Sequence, residues 1–145
     1  MSLHDTFRIS ASALTAQRVR MNVIASNLAN INTMRTAGGG PYQRKDVVFA
    51  AVPQQRSFAE ELRFHTDESA VGVKVAGIIE DQRAFRKQYA PGHPDADEAG
   101  YIQMPNVNPI EEMVNMISAE NAYAANVSAV DAGKKMAAKA LEIGR

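Results

Sequence analysis

Three histidines and a short acidic segment are the residues of this chain best suited by type to metal binding or acid–base catalysis. His4, His65 and His93 lie far apart in the sequence, and no His-Glu-x-x-His motif joins any two of them. The acidic segment from 95 to 98 does not match a calcium loop, because Ala99 and Asn106 stand where that loop needs an oxygen ligand and a glutamate. We therefore predict surface histidines, an acidic turn, and no metal or other cofactor.

Other reactive patterns are equally incomplete. The three glycines from 38 to 40 are not followed by Lys-Ser or Lys-Thr, as a phosphate-binding loop requires. A small basic cluster around Arg83 adjoins Glu80 and Asp81, which is typical of a solvated face. The absence of cysteine excludes a thiolate nucleophile or thiolate metal ligand. We predict that the protein is not an enzyme.

Composition narrows the classes of partner. The 145 residues carry 16 basic and 16 acidic side chains, so the net charge is zero and nucleic-acid binding is not expected. No run of 18 apolar residues occurs, so we predict no transmembrane segment. The first twenty residues include Asp5, Arg8 and Arg18 and lack an apolar core, so we expect no cleaved signal peptide.

Periodicity predicts two terminal helices around a different middle region. Apolar residues recur every seven positions from Phe7 to Leu28, and Asn108-Pro109 forms a helix start. Strand-like runs occur at Val47–Val52 and Val71–Glu80. We expect an N-terminal helix within 1–33, a β-containing, loop-rich region at 34–109, and a C-terminal helix within 110–145. The predicted fold class is mainly α, with long terminal helices packed as a coiled-coil-like pair and a small β-hairpin between them.

Both helices contain long stretches without charge, from 21 to 34 and from 121 to 130. Small, uncharged polar side chains allow close helix approach without the desolvation cost of a charge, which favours burial of the outer faces against neighbouring copies. A helical hairpin with a solvated asparagine face remains the alternative. The predicted intrachain seam is Leu14, Met21, Ile24, Leu28, Met113, Ile117, Val127 and Val130. The predicted subunit contacts are Asn22, Ser26, Asn27, Asn30, Asn32, Asn121 and Asn126.

The run MNVIASNLANINT, residues 21–33, resembles the N-terminal signature of the flagellar rod, hook and hook-associated axial proteins. The usual Pro-Gly after this signature is replaced by Met34-Arg35. The segments 40–49, 72–81 and 89–127 are similar to the proximal rod members of that family, so that the resemblance covers nearly the whole chain.

The resemblance implies a structural subunit that stacks in a helical array, with copies of itself and other rod proteins, into the hollow drive shaft of the flagellar basal body. That shaft crosses the periplasm, transmits torque and conducts exported subunits. The resemblance further implies export by the flagellar secretion apparatus without a cleaved signal, and leaves contacts with the surrounding rings open. The alternative function is a soluble helical export adaptor or chaperone.

Overall fold

The computed structural model describes residues 3–53 and 71–143. In chain order its elements are helix α1 (Leu3–Ala29), strands β1 (Lys45–Pro53), β2 (Val71–Glu80), β3 (Arg86–Tyr89) and β4 (Tyr101–Met104), and helix α2 (Pro109–Ile143). The two predicted strand segments are confirmed as β1 and β2. Within these residues, neither helix is long and apolar enough to cross a membrane.

The predicted fold class is wrong. About half of the described residues are helical and about a fifth lie in strands, which form two separate antiparallel pairs, β1–β2 and β3–β4. Helix α1 has 27 residues against 35 in α2, so the ends do not form the expected long coiled-coil-like pair. The physical reason lies in α2, whose buried positions are Glu112, Ala119 and Gly133 rather than large apolar residues. The division of the chain at 33 and 109 stays a prediction.

Helix α1 lies between α2 on one side and the β1–β2 sheet on the other. The backbone N–H of Val73 in β2 donates to Ser12 Oγ at 3.1 Å, while Ser12 Oγ donates to the Ile9 carbonyl at 2.7 Å. Gly72 permits this approach, because a Cβ there would lie only 3.2 Å from Ser12 Oγ. The sheet is therefore fixed to α1 through a strand edge and a small residue.

The two helices run antiparallel. Near the end of α1, Asn27 bonds to Glu112 in the first turns of α2. Near the start of α1, the Phe7 ring packs on Gly133, where an added Cβ would meet Phe7 Cε1 at 3.0 Å. Nearly the same number of residues separates these contacts on the two helices, so the helices lie side by side over about six turns. The buried residues of α2 are small or polar, unlike the large apolar residues of a coiled coil.

Candidate assembly interface

A buried polar cluster joins the two ends of the chain. Glu112 is fully buried, and its Oε2 accepts a hydrogen bond from Asn27 Nδ2 at 2.8 Å. Its Oε1 accepts from Arg44 Nε, also at 2.8 Å. We call Asn27, Tyr42, Arg44, Asn106 and Glu112 the polar clasp. Buried charges of this kind are tolerated only when they are paired and hydrogen-bonded, as both are here.

Asn27 uses every polar atom of its side chain inside the clasp. Its Nδ2 also donates to the Lys45 carbonyl at 2.8 Å, and its Oδ1 accepts from the Tyr42 hydroxyl and the Lys45 N–H, both at 3.0 Å. The amide pairs with the backbone of Lys45 at the start of β1 much as a neighbouring strand would. Asn27 thereby fixes the end of α1 to β1 and to α2 at once.

Arg44 and Asn106 extend the clasp to the segment after β2. The Arg44 N–H donates to Asn106 Oδ1 at 2.7 Å, and Asn106 Nδ2 donates to the carbonyls of Asp81 and Arg83 at 3.1 and 2.9 Å. Burial lowers the pKa of the Arg44 guanidinium, but hydrogen bonds to Glu112 and Asp46 raise the pKa by more. The pKa of Asp81 lies below its usual range, chiefly because the Arg83 N–H donates to it. Both groups are therefore charged at neutral pH.

The expectation that Asn27 contacts a neighbouring subunit needs correction. The residue is 0% exposed, and its four hydrogen bonds all stay within the chain. Position 27 is uncharged because its side chain must both donate and accept hydrogen bonds within the chain. An amide can do both, whereas a charged side chain cannot.

The outer face of α2 carries an exposed apolar stripe. Ile110, Met113, Val114 and Ile117 are 72%, 57%, 61% and 56% exposed, at the i, i+3, i+4, i+7 spacing of one helix face. The seam predicted from this spacing is therefore wrong for Met113 and Ile117, and Val127 is also exposed. Residues at regular helical spacing form two faces of α2, and the face that meets α1 has the smaller and more polar side chains.

The remaining predicted seam residues lie where packing within the chain is possible. Ile24 is buried, at 4% exposure, and Leu14, Met21, Leu28 and Val130 are half-buried. Their assignment to an intrachain seam stays a prediction.

The other predicted subunit contacts fall into two groups. Asn22, Ser26, Asn32 and Asn121 are exposed. Asn30 and Asn126 are half-buried, and each amide donates to the carbonyl four residues earlier, at 2.9 and 2.8 Å. These six residues stay predicted contacts.

The residues considered for catalysis serve local structure. His93 Nδ1 accepts from the Asp95 N–H at 3.1 Å, and Asp95 pairs with Arg35. Asp97 Oδ1 accepts from two backbone N–H groups, at 3.0 and 2.8 Å, and so closes the acidic turn. His65 lies outside the described residues. In the part of the chain that the structure describes, no three histidine, aspartate or glutamate side chains are grouped as a metal site.

Comparisons with known proteins match both ends of the chain and its full length. The family model described as "Flagella basal body rod protein" matches residues 7–37, and the model "Flagellar basal body rod FlgEFG protein C-terminal" matches residues 98–143. The chain is 45% identical to the flagellar basal-body rod protein FlgC of Bacillus subtilis, with 100% of both chains covered. The corresponding protein of Borreliella burgdorferi is 40% identical, over 99% of this chain and 98% of its own. That of Escherichia coli O6:H1 is 42% identical over the whole of both chains.

The chain belongs to the flagellar basal-body rod protein FlgC family. The resemblance found in the sequence is thus confirmed, as is the function of a structural rod subunit. Membership of the FlgC family also supports a location in the flagellar basal body. The alternative of an export adaptor or chaperone is not favoured, since the relatives are named as rod proteins.

Sequence reasoning missed most of the clasp of this FlgC-family chain. By type and position Glu112 favours the start of a helix, and nothing in the local sequence distinguishes Arg44. A signal was present in the strict seven-residue spacing of Glu112, Ala119, Asn126 and Gly133, which places small or polar residues on one face of α2. Small or polar residues that share one face indicate that another helix can approach closely on that face.

Proposed function

We propose that this chain is a subunit of the proximal rod, and that it assembles helically with copies of itself and other rod proteins into a hollow shaft. The shaft transmits torque from the motor and conducts exported subunits. The role is structural and involves no catalysis. The rod segment lies in the periplasm, and the subunit reaches it through the flagellar export apparatus.

The observation that carries this proposal is the exposed apolar stripe on α2. Four large apolar side chains on two turns of one helix are unfavourable to expose to water, and burial of each contributes about 1.5–3 kcal/mol. The inner face of the same helix is already covered by α1 at Glu112, Ala119 and Gly133. The outer stripe is therefore available for contacts between subunits.

The polar clasp supports the same role. It fixes the start of α2 to the end of α1 through paired buried charges, so the stripe is presented on a rigid base. A subunit that transmits torque needs contact surfaces that keep their geometry under load. Rigid helices held by buried hydrogen bonds meet that need better than loops do.

The test is a substitution in the stripe with a neighbouring control. Ile117→Glu places a charge within the stripe, whereas Ser118→Glu places the same charge at the adjacent exposed position. We expect Ile117→Glu to leave the helical content of the monomer unchanged but to abolish motility and the incorporation of the chain into isolated basal bodies. Ser118→Glu should leave both intact.

Normal motility with the Ile117→Glu chain present in basal bodies would contradict the role of the stripe. Fractionation provides the second readout: the wild-type chain should co-purify with basal bodies, and it should become accessible to protease once the cell envelope outside the cytoplasmic membrane is opened. A chain found only in the cytosolic fraction would refute the proposed location.

A further inference from the structure

An open groove lies between α1 and the end of β2. Its volume is about 800 Å³, and the residues lining it include Val19, Asn22, Val23 and Ser26 from α1 and Ile78 and Ile79 from β2. Ile78 and Ile79 are 51% and 55% exposed, so large apolar side chains face solvent here. We call this feature the α1–β2 groove.

The groove and the apolar stripe lie on opposite sides of the molecule. The stripe residues Ile110 and Ile117 each stand two positions from a fully buried residue, Glu112 and Ala119, and two positions on a helix correspond to about half a turn. They therefore face away from α1. The groove forms where α1 meets the sheet, and its lining contains no residue of α2. The order across the molecule is stripe, α2, α1, groove.

The two surfaces match in length and in the distribution of apolar and polar groups. On α1 the groove extends from Val19 to Ser26, and on α2 the stripe extends from Ile110 to Ile117, which is about two turns in each case. The exposed amide of Asn121 continues the line of the stripe, while Asn22 supplies an exposed amide in the groove. Apolar side chains can thus pack together while amides pair beside them.

Charge also distinguishes the two ways in which the surfaces could meet. Lys45 and Glu80 both line the groove, opposite each other across the β1–β2 pair, and neither forms an ion pair within the described residues; Lys45 Nζ lies 6.0 Å from the centre of the Tyr42 ring. Glu120 is exposed beside the stripe and likewise forms no ion pair among those residues. Because the groove carries one charge of each sign, an approach that brings Glu120 to Lys45 is favoured over one that brings it to Glu80.

We propose that the α1–β2 groove receives the apolar stripe of a second copy of this chain. Because the two surfaces are different and lie on opposite sides, the contact is heterologous and leaves a free groove and a free stripe at the two ends. Each added copy can therefore bind another, so the contact extends an array instead of closing a dimer. This inference rests on the proposed rod function and specifies the contact that it uses.

Site-specific cross-linking tests the contact, and the chain is suited to it because it contains no cysteine. The test variant carries Asn22→Cys in the groove and Ile117→Cys in the stripe. The control carries Gln88→Cys and Ile117→Cys, which keeps the stripe cysteine and moves the other to an exposed position on β3. Both are expressed as the only copy of the full chain in its own bacterium, and isolated basal bodies are treated with a short bis-maleimide.

We expect species containing two copies of this chain, at least about tenfold more abundant than in the control, which corresponds to ~1.4 kcal/mol of preference for the contact. Cross-links only to a different rod protein, or none in basal bodies that contain the chain, would overturn the inference and leave the rod function standing. Absence of the unmodified chain from basal bodies would instead overturn the rod function.

A charge exchange tests the orientation. Lys45→Glu and Glu120→Lys should each lower the yield of the two-copy species about two- to fivefold, as expected for a pair that is partly exposed to solvent. The chain carrying both substitutions should recover the wild-type yield. If the double variant stays as low as the singles, the proposed alignment of groove and stripe is wrong.

Discussion

Two neighbouring glutamates at the start of α2 offer a direct test of the polar clasp. Glu112 is fully buried and bonds to Arg44 and Asn27, whereas Glu111 pairs with Arg83 at the surface. Glutamine has nearly the same shape as glutamate but no charge, and its NH₂ group would face a donor, since both partners of Glu112 are donors. We expect Glu112→Gln to destabilise the fold strongly and Glu111→Gln to change it little.

The magnitudes follow from burial. Removal of one partner from a buried ion pair costs about 3–5 kcal/mol. The lower end applies to Glu112→Gln, because Arg44 Nη1 keeps Asp46 at 3.2 Å and Asp81 at 3.3 Å. The side chains of Glu111 and Arg83 are 42% and 50% exposed, so solvent screens that pair and its loss costs about 0–1 kcal/mol. The expected difference between the two variants is therefore about 2–3 kcal/mol.

Urea denaturation of the purified monomers, followed by far-ultraviolet circular dichroism, measures both free energies of unfolding. Arg44→Met and the Arg44→Met, Glu112→Gln double variant complete a double-mutant cycle, in which the loss should be smaller than the sum of the single losses. If Glu112→Gln and Glu111→Gln lower stability equally, the clasp does not stabilise the join between the two ends, and the argument from burial fails.

Three further predictions concern other contacts. Gly133→Leu should lower the free energy of unfolding by about 1–3 kcal/mol, because a Cβ added at Gly133 would lie only 3.0 Å from the Phe7 ring. Phe7→Ala in the same chain should recover part of that loss. If Gly133→Leu causes no loss of stability, Phe7 does not pack on Gly133. Gly100→Ala should lower it by about 1–2 kcal/mol, since Gly100 has a φ of +82° and its Cβ would meet Tyr89 at 2.9 Å; unchanged thermal unfolding would contradict this. The folded pKa of Asp81 lies below its ordinary 3.8, so its contribution to stability is present above about pH 4 and is lost as pH falls through the folded pKa. The Asp81→Asn variant should therefore unfold more readily at pH 7 and lose less stability on acidification than the wild-type chain. Identical profiles of stability against pH for the two chains would refute the assignment.

Local sequence signals predict the elements of this chain well. A short apolar run rich in valine identifies β1, alternation identifies β2, and Asn108 caps α2, where its Oδ1 accepts from the Ile110 N–H at 3.1 Å. The short strands β3 and β4 have four residues each, too few for alternation to separate them from loop. The local pattern therefore predicts where an element lies only when the element is long enough for the pattern to repeat.

Tertiary pairing is harder to predict, and the clasp shows why. Glu112 and Asn27 are 85 positions apart, and each has an ordinary local interpretation, one as a charge near a helix start and the other as a polar residue on a helix surface. Only their encounter in three dimensions makes burial of both favourable. The same holds for Arg44, whose burial is understood only once Glu112 and Asp46 are placed beside it.

The error in the predicted seam has a more specific cause, which bears on how the subunit works. The rule that the more apolar face of a helix packs inside applies to a chain that completes its core alone. In α2 the large apolar residues Met113 and Ile117 face outward, and the small ones, Ala119 and Gly133, face α1. Small residues let the helices approach closely, and the buried Glu112–Arg44 pair then fixes their alignment without large apolar side chains. The larger apolar surface stays exposed on the single chain, so the stripe that contradicts an intrachain seam is the surface that the proposed assembly of rod subunits requires.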